Sequence, residues 1–375
     1  MSKSWMKQLG RTDAPPPGVA AEPAGFPKVR FINGAAQDDP VWLFGGLSPG
    51  DPSAPAQNLN VLALSGGGAG GAFGAGALVG LTETGTRPIF DLVTGVSTGA
   101  FIAPFAFLGS TWDHRLADAY CDGHAADLLA LKGLRPGASL FGAEPLTNLV
   151  ERHIDAPLLE AVGAAHLAGR RLFVATANLD TEATSIWDMG AIASQGGEAG
   201  LTLFRDILVA SASLPGLFPP KMIAVESEGR RYEEMHVDGG TISPLFVTPE
   251  PLTFARPSGW SDRAVDVYAL VNTTLNGGAT TTSMNVIPIL MRSFELMLKT
   301  SYRNALRTVA AFCEINGFAL HTACIPAELG GVSMLRFEEP AMIDMFERGV
   351  RAAREGQLWS TVAAPAESSR PAAAS

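Results

Sequence analysis

The most constraining feature of this sequence is the stretch 59–83, where a short apolar run passes through a glycine run directly into a helical pattern. LNVLALS (59–65) is nearly continuously apolar, as is typical of a strand buried on both faces. GAFGAGALVGLTE (71–83) follows as a predicted helix. Its glycines lower helix stability, so we expect close packing against a sheet to compensate. A strand followed at once by a helix predicts an α/β fold.

Other segments repeat this alternation. Strands are predicted at 89–96, 171–179, 232–237 and 265–272, and a helix at 98–109. Strand–helix–strand alternation indicates a mainly parallel central sheet with helices on both faces.

A longer helix is predicted between residues 286 and 314. Its apolar residues recur at helical spacing: Ile287, Leu290, Met291, Phe294, Met297, Leu298, Leu306, Val309 and Phe312. We interpret it as a helix that faces the core. The alternative is a cover over an acyl-binding groove, because methionine-rich surfaces adapt to flexible apolar ligands.

Composition divides the 375 residues into four parts. Residues 1–58 are rich in Pro, Ala and Gly, and we expect them to be partly disordered, above all 1–26. KVRFIN and PVWLFGG are expected to form short ordered pieces at the domain edge. Residues 59–250 are predicted to be the domain core, 251–360 to complete the same domain, and 361–375 to be a disordered tail.

Charge and cysteine content exclude several classes of protein. The net charge is −10 and only 17% of residues are charged. Such a chain is a poor nucleic-acid binder and gains nothing from general attraction to an anionic membrane. Cys121, Cys313 and Cys324 have no spacing typical of a metal site or a disulfide framework.

Targeting signals are also not evident. The apolar run FIAPFAFLG is too short to span a bilayer, and no secretory pattern follows the N-terminus. We expect a cytoplasmic or peripheral membrane location. The sequence does not indicate an oligomeric state.

GVSTG (95–99) has the form Gly-x-Ser-x-Gly and lies between a predicted strand and a predicted helix. A tight turn there lifts the hydroxyl of Ser97 above the sheet edge, and the flanking glycines make room for it. The start of the helix adds a partial positive charge. This context favours a nucleophile over a plain turn.

SGGGAGG (65–71) opens the preceding helix with several backbone N–H groups. Gly66, Gly68 and Gly71 fit the dinucleotide-binding spacing, but no acidic residue follows at the expected place and no phosphate-loop lysine is present. The better interpretation is an oxyanion hole, in which preorganised N–H donors stabilise a developing negative charge.

The base is the remaining requirement. Asp238 in HVDGG (236–240) ends a predicted strand, so its carboxylate is expected at the same sheet edge as Ser97. On its own, Asp-Gly-Gly is more often a simple turn. None of the six histidines lies in a motif, and we interpret His236 as structural.

The ordered blocks GGGAGG, GVSTG and DGG, with ASASLPGLFPP (210–220) between the last two, resemble the patatin-like phospholipases over residues 59–250. The resemblance implies that family's three-layer fold and a Ser97–Asp238 dyad that hydrolyses lipid acyl esters without a histidine, metal or cofactor. It also implies an oxyanion hole at Gly66, Gly67 and Gly68. The remaining motif glycines are Gly71, Gly95, Gly99, Gly239 and Gly240.

Two positions depart from that pattern. Ser65 stands where the family commonly has Asp, and Gly70 where it commonly has Arg or Lys. The missing cation puts loop rigidity in question.

Two alternatives therefore stay open: an α/β-hydrolase esterase that pairs Ser97 with a late histidine such as His321, and a catalytically impaired lipid-binding protein. The expected partner is a lipid or acyl ester, and peripheral membrane contact is also left open.

Overall fold

The architecture is an eleven-stranded sheet with helices, seen in a computed structural model that describes residues 14–16, 18–34, 40–44, 47, 58–129, 139–253, 255–257, 260, 263–276, 281–327 and 334–362. The strands are β1 (Glu22–Pro23), β2 (Arg30–Ile32), β3 (Leu59–Leu64), β4 (Leu92–Val96), β5 (Arg171–Asn178), β6 (Ala183–Asp188), β7 (Lys221–Ser227), β8 (Arg230–Asp238), β9 (Val265–Val271), β10 (Ala319–Cys324) and β11 (Ser360–Val362).

The strand order is β1-β7-β8-β5-β4-β3-β9-β10-β11, with β6 also paired to β5 and β2 to β6. The five central strands β5, β4, β3, β9 and β10 are mutually parallel. The outer pairings are antiparallel. The predicted α/β fold with a mainly parallel central sheet is therefore confirmed.

Nine α-helices lie in the described residues. They are α1 (Gly71–Glu83), α2 (Thr98–Leu108), α3 (Asp113–Cys121), α4 (Glu144–His153), α5 (Ala156–Leu167), α6 (Met189–Gln195), α7 (Gly197–Ala212), α8 (Val286–Asn316) and α9 (Glu339–Arg354). Within this part of the chain, no helix combines the length and apolar character needed to cross a bilayer.

Two hydrophobic clusters cover the two faces of the sheet. Leu62 and Leu64 of β3 face the cluster formed with α1 to α7 and α9. Their neighbours Val61 and Ala63 face the cluster formed with α8 and the short 3-10 helix Pro40–Phe44. This alternation gives three layers, because each central strand is buried on both sides.

Several sequence predictions need correction at their boundaries. β1 lies inside the stretch 1–26 that we expected to be disordered, because it pairs with β7. β11 extends to Val362, so the predicted tail begins two residues later, and residues 363–375 lie outside the described part. The short strands β6, β7 and β10 were not predicted. KVRFIN contains β2, and PVWLFGG contains the 3-10 helix, as expected.

The glycines of α1 are explained by a neighbouring helix more than by the sheet. A Cβ on Gly76 would lie 1.9 Å from the carbonyl oxygen of Phe346 in α9, and one on Gly80 would lie 2.7 Å from that of Val350. The expectation that the glycines pack against the sheet holds for Gly74, which faces Leu270 and Asn272. The larger part of the close packing is between α1 and α9.

The prediction that α8 faces the core is correct only from Leu298 onward. Leu298, Val309 and Phe312 are buried, whereas Leu290 and Met297 are exposed. The side chains of Ile287 and Met291 lie outside the described part of the chain. The alternative interpretation, a cover over a groove, also has support, because Leu298 lines the cavity described next.

Candidate active site

Two strands that run in opposite directions meet on the same edge of β5. β4 is parallel to β5 and ends with Val96 opposite Ala175. β8 is antiparallel to β5 and ends with Asp238 opposite Thr176, the next residue along β5. Ser97 and Asp238 therefore come together because their strands approach head to head. We had expected both residues at the carboxyl ends of parallel strands. Ser97 does follow a strand that is parallel to β5, whereas Asp238 ends a strand that is antiparallel to it.

Ser97 occupies a strained turn between β4 and α2. Its backbone has φ +57° and ψ −126°, a conformation that costs a residue with a side chain about 1–3 kcal/mol. The turn needs glycine on both sides. A Cβ on Gly95 would lie 2.6 Å from the carbonyl oxygen of Gly99, and one on Gly99 would lie 2.4 Å from that of Leu64. The tight turn expected between strand and helix is thus present at Ser97, and its role as nucleophile stays a prediction.

The hydroxyl of Ser97 donates a hydrogen bond to the carboxylate of Asp238, with 2.6 Å between Oγ and Oδ2. The other oxygen, Oδ1, accepts the N–H of Gly240 at 2.7 Å. Asp238 is only 3% exposed. Burial raises its pKa to about 7, although both hydrogen bonds favour the charged form. A carboxyl group with this pKa can gain and lose a proton near neutral pH.

The block ASASLPGLFPP supplies the supports that hold this pair. The N–H of Ser97 donates to Ser211 Oγ at 2.9 Å, and Ser211 in turn donates to the carbonyl oxygen of Ala175 in β5. The N–H of Asp238 donates to the carbonyl oxygen of Ser213. The sequence block marked this segment, but its residue pattern alone did not reveal which serines fix the pair.

The glycine loop passes directly beside Ser97. A Cβ on Gly66 would lie 3.1 Å from Cβ of Ser97, but the N–H of Gly66 already donates to the carbonyl oxygen of Pro244. The N–H groups of Gly67 and Gly68 donate no hydrogen bond within the described residues. Gly68 lines the same cavity as Ser97 and Asp238. Of the three expected donors, Gly67 and Gly68 are therefore the unoccupied ones.

The loop is anchored without the cation that Gly70 replaces. Asn272, just after β9, donates its side-chain amide to the carbonyl oxygen of Ser65 and its N–H to Ser65 Oγ. The N–H of Ala69 donates to the carbonyl oxygen of Met334. A Cβ on Gly70 would lie 2.1 Å from the carbonyl oxygen of Asn272. The loop is thus held by hydrogen bonds to Asn272 and Met334, and the backbone of Asn272 leaves no room for a side chain at position 70.

The other motif glycines serve the same framework. Gly71 opens α1 against Thr98, and Gly239 begins the 3-10 turn after Asp238.

A mostly apolar cavity opens over the pair. Its walls come from α2, α3, α4, α7, α8 and α9, with Phe101, Leu149, Leu208 and Met342 among them. The space between atoms, including the mouth, is about 880 Å³. Tyr302 of α8 is buried in this wall near Gly66, and burial raises the pKa of its phenol, which stays protonated. No sequence motif marks Tyr302, so its place in this wall could not be predicted.

All six histidines are described, and none of them lines this cavity. A hydrogen bond of 2.9 Å joins Nδ1 of His236 to the hydroxyl of Thr176, and Nε2 of His236 lies 3.2 Å from the carboxylate of Glu234. Glu234 is also paired with Arg30, so His236 belongs to a buried cluster. His321 contacts Asp266 and Thr361 and stacks on Tyr268. The interpretation of His236 as structural fits these contacts. Among the described residues there is also no group of three or more potential metal ligands.

The family model for patatin-like phospholipases matches residues 62–249, which is half of the chain. The chain belongs to the patatin-like phospholipase family. Membership supports a lipid hydrolase that acts on esters. No curated protein matches the sequence.

Two solved structures are similar to this chain. VipD from Legionella pneumophila has 13% identity and a TM-score of 0.39, covering 83% of this chain and 69% of VipD. The type III effector protein ExoU has 15% identity and a TM-score of 0.23, covering 80% of this chain and 54% of ExoU. It is the family model, and not these two structures, that assigns the chain to its family.

Placing the family's cation at position 70 should destabilise this protein. In Gly70→Arg, the new Cβ meets the carbonyl oxygen of Asn272 and the side chain of Ile325, so the loop or β9 must move. We expect a loss of about 1–3 kcal/mol in the free energy of unfolding, measured by urea denaturation. Gly142→Arg is the control, because nothing lies within 4 Å of a Cβ there. Equal stability of the two variants would contradict the packing argument.

The buried carboxyl of Asp238 should make the protein more stable when its charge is removed. The pKa of an ordinary aspartate is 3.8, and that of Asp238 in the folded protein is about 7. At pH values between these two, the folded state binds the proton and the unfolded state does not. Stability therefore falls as pH rises from about 4 to about 7, and the full penalty remains above that. We expect Asp238→Asn to be more stable than the parent at pH 8, by up to about 4 kcal/mol.

This gain should shrink as the pH is lowered toward 4. Urea denaturation of both proteins at several pH values measures it, with Ser97→Ala as the control that keeps the carboxyl group. An Asp238→Asn protein that is less stable than the parent at pH 8 would show that ionised Asp238 is not destabilising.

Proposed function

We propose that the chain is a lipid acyl hydrolase that cleaves carboxylic esters through a dyad of Ser97 and Asp238. The observation that carries this proposal is the 2.6 Å hydrogen bond from Ser97 Oγ to the buried carboxylate of Asp238, at the floor of an apolar cavity. Nucleophile and base must lie within hydrogen-bond reach, and this pair does.

In the first half-reaction, Asp238 accepts the proton of Ser97 while Oγ attacks the ester carbonyl carbon. The carbonyl oxygen becomes negative in the tetrahedral intermediate. The unoccupied N–H groups of Gly67 and Gly68 are the donors proposed to stabilise it, at about 3–4 kcal/mol each. The C–O bond to the alcohol then breaks, the alcohol takes the proton from Asp238, and an acyl-enzyme remains.

In the second half-reaction, water attacks the acyl-enzyme. Asp238 takes a proton from the water, the tetrahedral oxygen again faces the glycine loop, and the proton returns to Ser97 as the fatty acid leaves. The pKa of Asp238 near 7 suits both directions of this transfer, because a base works best when its pKa lies near the working pH. No step in this route requires a metal or cofactor.

The cavity supports an acyl chain as the group next to the reacting carbonyl. Its walls are built mainly from leucine, phenylalanine and methionine side chains, which bind methylene groups without specific polar contacts. We therefore propose phospholipids or related lipid esters as the substrates.

The alternatives have less support. A Ser–His esterase would need a histidine beside Ser97, whereas His321 is engaged with Asp266 and Thr361. A lipid-binding protein without activity would need no strained serine, and Ser97 keeps that strain.

Ser97→Ala and Asp238→Asn should each abolish turnover, by about a thousandfold or more. The double variant should be no worse than either single variant, because residues that act as one unit are not additive. Hydrolysis of a soluble chromogenic ester measures this, and labelling of Ser97 by a fluorophosphonate probe separates an enzyme from a binding protein. His236→Ala and His321→Ala are the controls, and both should keep most activity.

Circular dichroism verifies folding of each variant. A folded His321→Ala protein without activity, beside an active Asp238→Asn protein, would overturn the dyad and favour the Ser–His esterase.

The rate should also follow the ionisation of Asp238. As the base, it must be charged, so kcat/KM should fall as pH drops below about 7, with one proton taken up. The measurement is a pH profile of kcat/KM between 5 and 9. Asp188→Asn is the control, because burial raises the pKa of that carboxyl group to about 6 and it does not line the cavity. A rate that stays constant down to pH 5 would contradict the assignment of Asp238 as base.

A further inference from the structure

The N-terminal half of α8 exposes a largely apolar face to solvent, interrupted by the exposed Ser293. Val286, Ile289, Leu290, Leu296 and Met297 are exposed, and Met284 just before the helix is 95% exposed. At 100° per residue, the five helical residues cover an arc of about 120°. We call these six residues the α8 outer face.

This concentration is unusual for the surface of a soluble domain. Fourteen large hydrophobic residues are markedly exposed in the described part of the chain, and six of them belong to this face of fourteen consecutive residues. Single exposed apolar residues are normal, but a contiguous patch indicates an interaction site.

The opposite side of the helix packs against the protein. Leu298 and Tyr302, near the middle of the helix, are buried there, and that side also carries Arg292, Glu295 and Lys299, which form ion pairs.

The α8 outer face lies near a cavity that adjoins the one over Ser97. A second cavity adjoins the active-site cavity, and the two share Leu214, Leu298, Met334 and Leu335 in their walls. Its outer wall includes the exposed Thr281 and Ser283 and the side chain of Arg292. Arg292 lies three residues after Ile289 and four before Leu296, so it is their neighbour on the helix surface. The apolar face therefore lies beside the adjoining cavity, and we take that cavity as the opening toward the catalytic pair.

The face changes character after one further turn. From Thr300 onward, the same side of α8 carries polar and basic residues, namely Arg303, Asn304, Arg307 and Thr308, all of them exposed. Arg303 and Arg307 hydrogen-bond only to Thr300 and Asn304, and neither forms an ion pair within the described residues. Long basic side chains next to an apolar surface are typical of the boundary between acyl chains and phosphate groups.

We propose that the α8 outer face docks on the surface of a phospholipid assembly and brings the cavity opening to the lipid. This rests on the proposed function, because lipid esters must leave an aggregate to reach Ser97. The occupant is a lipid surface rather than a second copy of the chain, since a protein seated beside the opening would obstruct it. Docking is driven by apolar insertion, with Arg303 and Arg307 at the phosphate level, so the acidic chain needs no anionic lipid.

The test uses Ser97→Ala protein, which cannot degrade the vesicles, and vesicles of phosphatidylcholine, which carry no net charge. Co-sedimentation gives the partition coefficient. Adding Leu290→Asp and Met297→Asp should lower it at least tenfold, because two charges then face the acyl region. Neither residue lines the catalytic cavity or the adjoining one.

The matched control adds Ile89→Asp and Leu167→Asp to Ser97→Ala. These residues are 76% and 78% exposed and lie elsewhere, so the control has the same added charge and should bind within twofold of Ser97→Ala. Circular dichroism verifies that all proteins are folded.

Three results would overturn the docking proposal. The first is no binding of Ser97→Ala protein to the vesicles, and the second is equal binding by both charged variants. The third is a dimer of Ser97→Ala protein in light scattering that Leu290→Asp and Met297→Asp convert to a monomer without changing vesicle binding, which would make the face a self-association surface. Since binding is measured without turnover, vesicle binding by a parent protein that hydrolyses no ester would refute the proposed function and leave docking supported.

Discussion

The buried carboxylate of Asp238 is the constraint around which this structure is organised. A carboxylate away from water is unstable unless it is protonated or paired, and here its partners are a hydroxyl group and one backbone N–H, with no cation among them. That choice keeps its pKa near 7, which suits its proposed role as a base. A nearby arginine would have stabilised the fold and lowered the pKa out of this range. The same burial thus explains both the expected loss of stability and the proposed chemistry.

The sheet provides the precision that such a pair requires. β5 pairs with β4 and then with β8 along one edge, so consecutive residues of a single strand set the positions of Ser97 and Asp238. Ser211 and Ser213, at the end of α7, connect each of them to this arrangement through one hydrogen bond. The glycine loop is held from the other side by Asn272 after β9. Residues far apart in sequence therefore form one hydrogen-bonded frame.

The parts of this arrangement that depend on local chemistry were visible in the sequence. Strand β3, helix α1 and the turn at Ser97 follow from apolar runs and glycines, and ordered blocks indicated Asp238 as the partner. What the sequence could not provide depends on pairing between distant segments. The antiparallel direction of β8 is not encoded in its own residues, and the roles of Asn272 and Tyr302 exist only because β9 and α8 come to lie beside the glycine loop. Gly70 was interpreted as a missing cation, whereas the space around it is filled by the backbone of Asn272.

Helix α8 shows why a periodic pattern does not by itself identify the core. Apolar residues at helical spacing indicate which side avoids water, but not what replaces the water on that side. In the C-terminal half, Val309 and Phe312 pack against the sheet. In the N-terminal half, Leu298 faces the cavity while Leu290 and Met297 point away from the protein. One helix thus has three apolar environments: a protein core, the cavity proposed for an acyl chain, and the surface where we infer lipid. An enzyme whose substrate is itself an apolar phase has a reason to keep the third, because the hydrophobic effect that folds the chain can also hold it at the substrate.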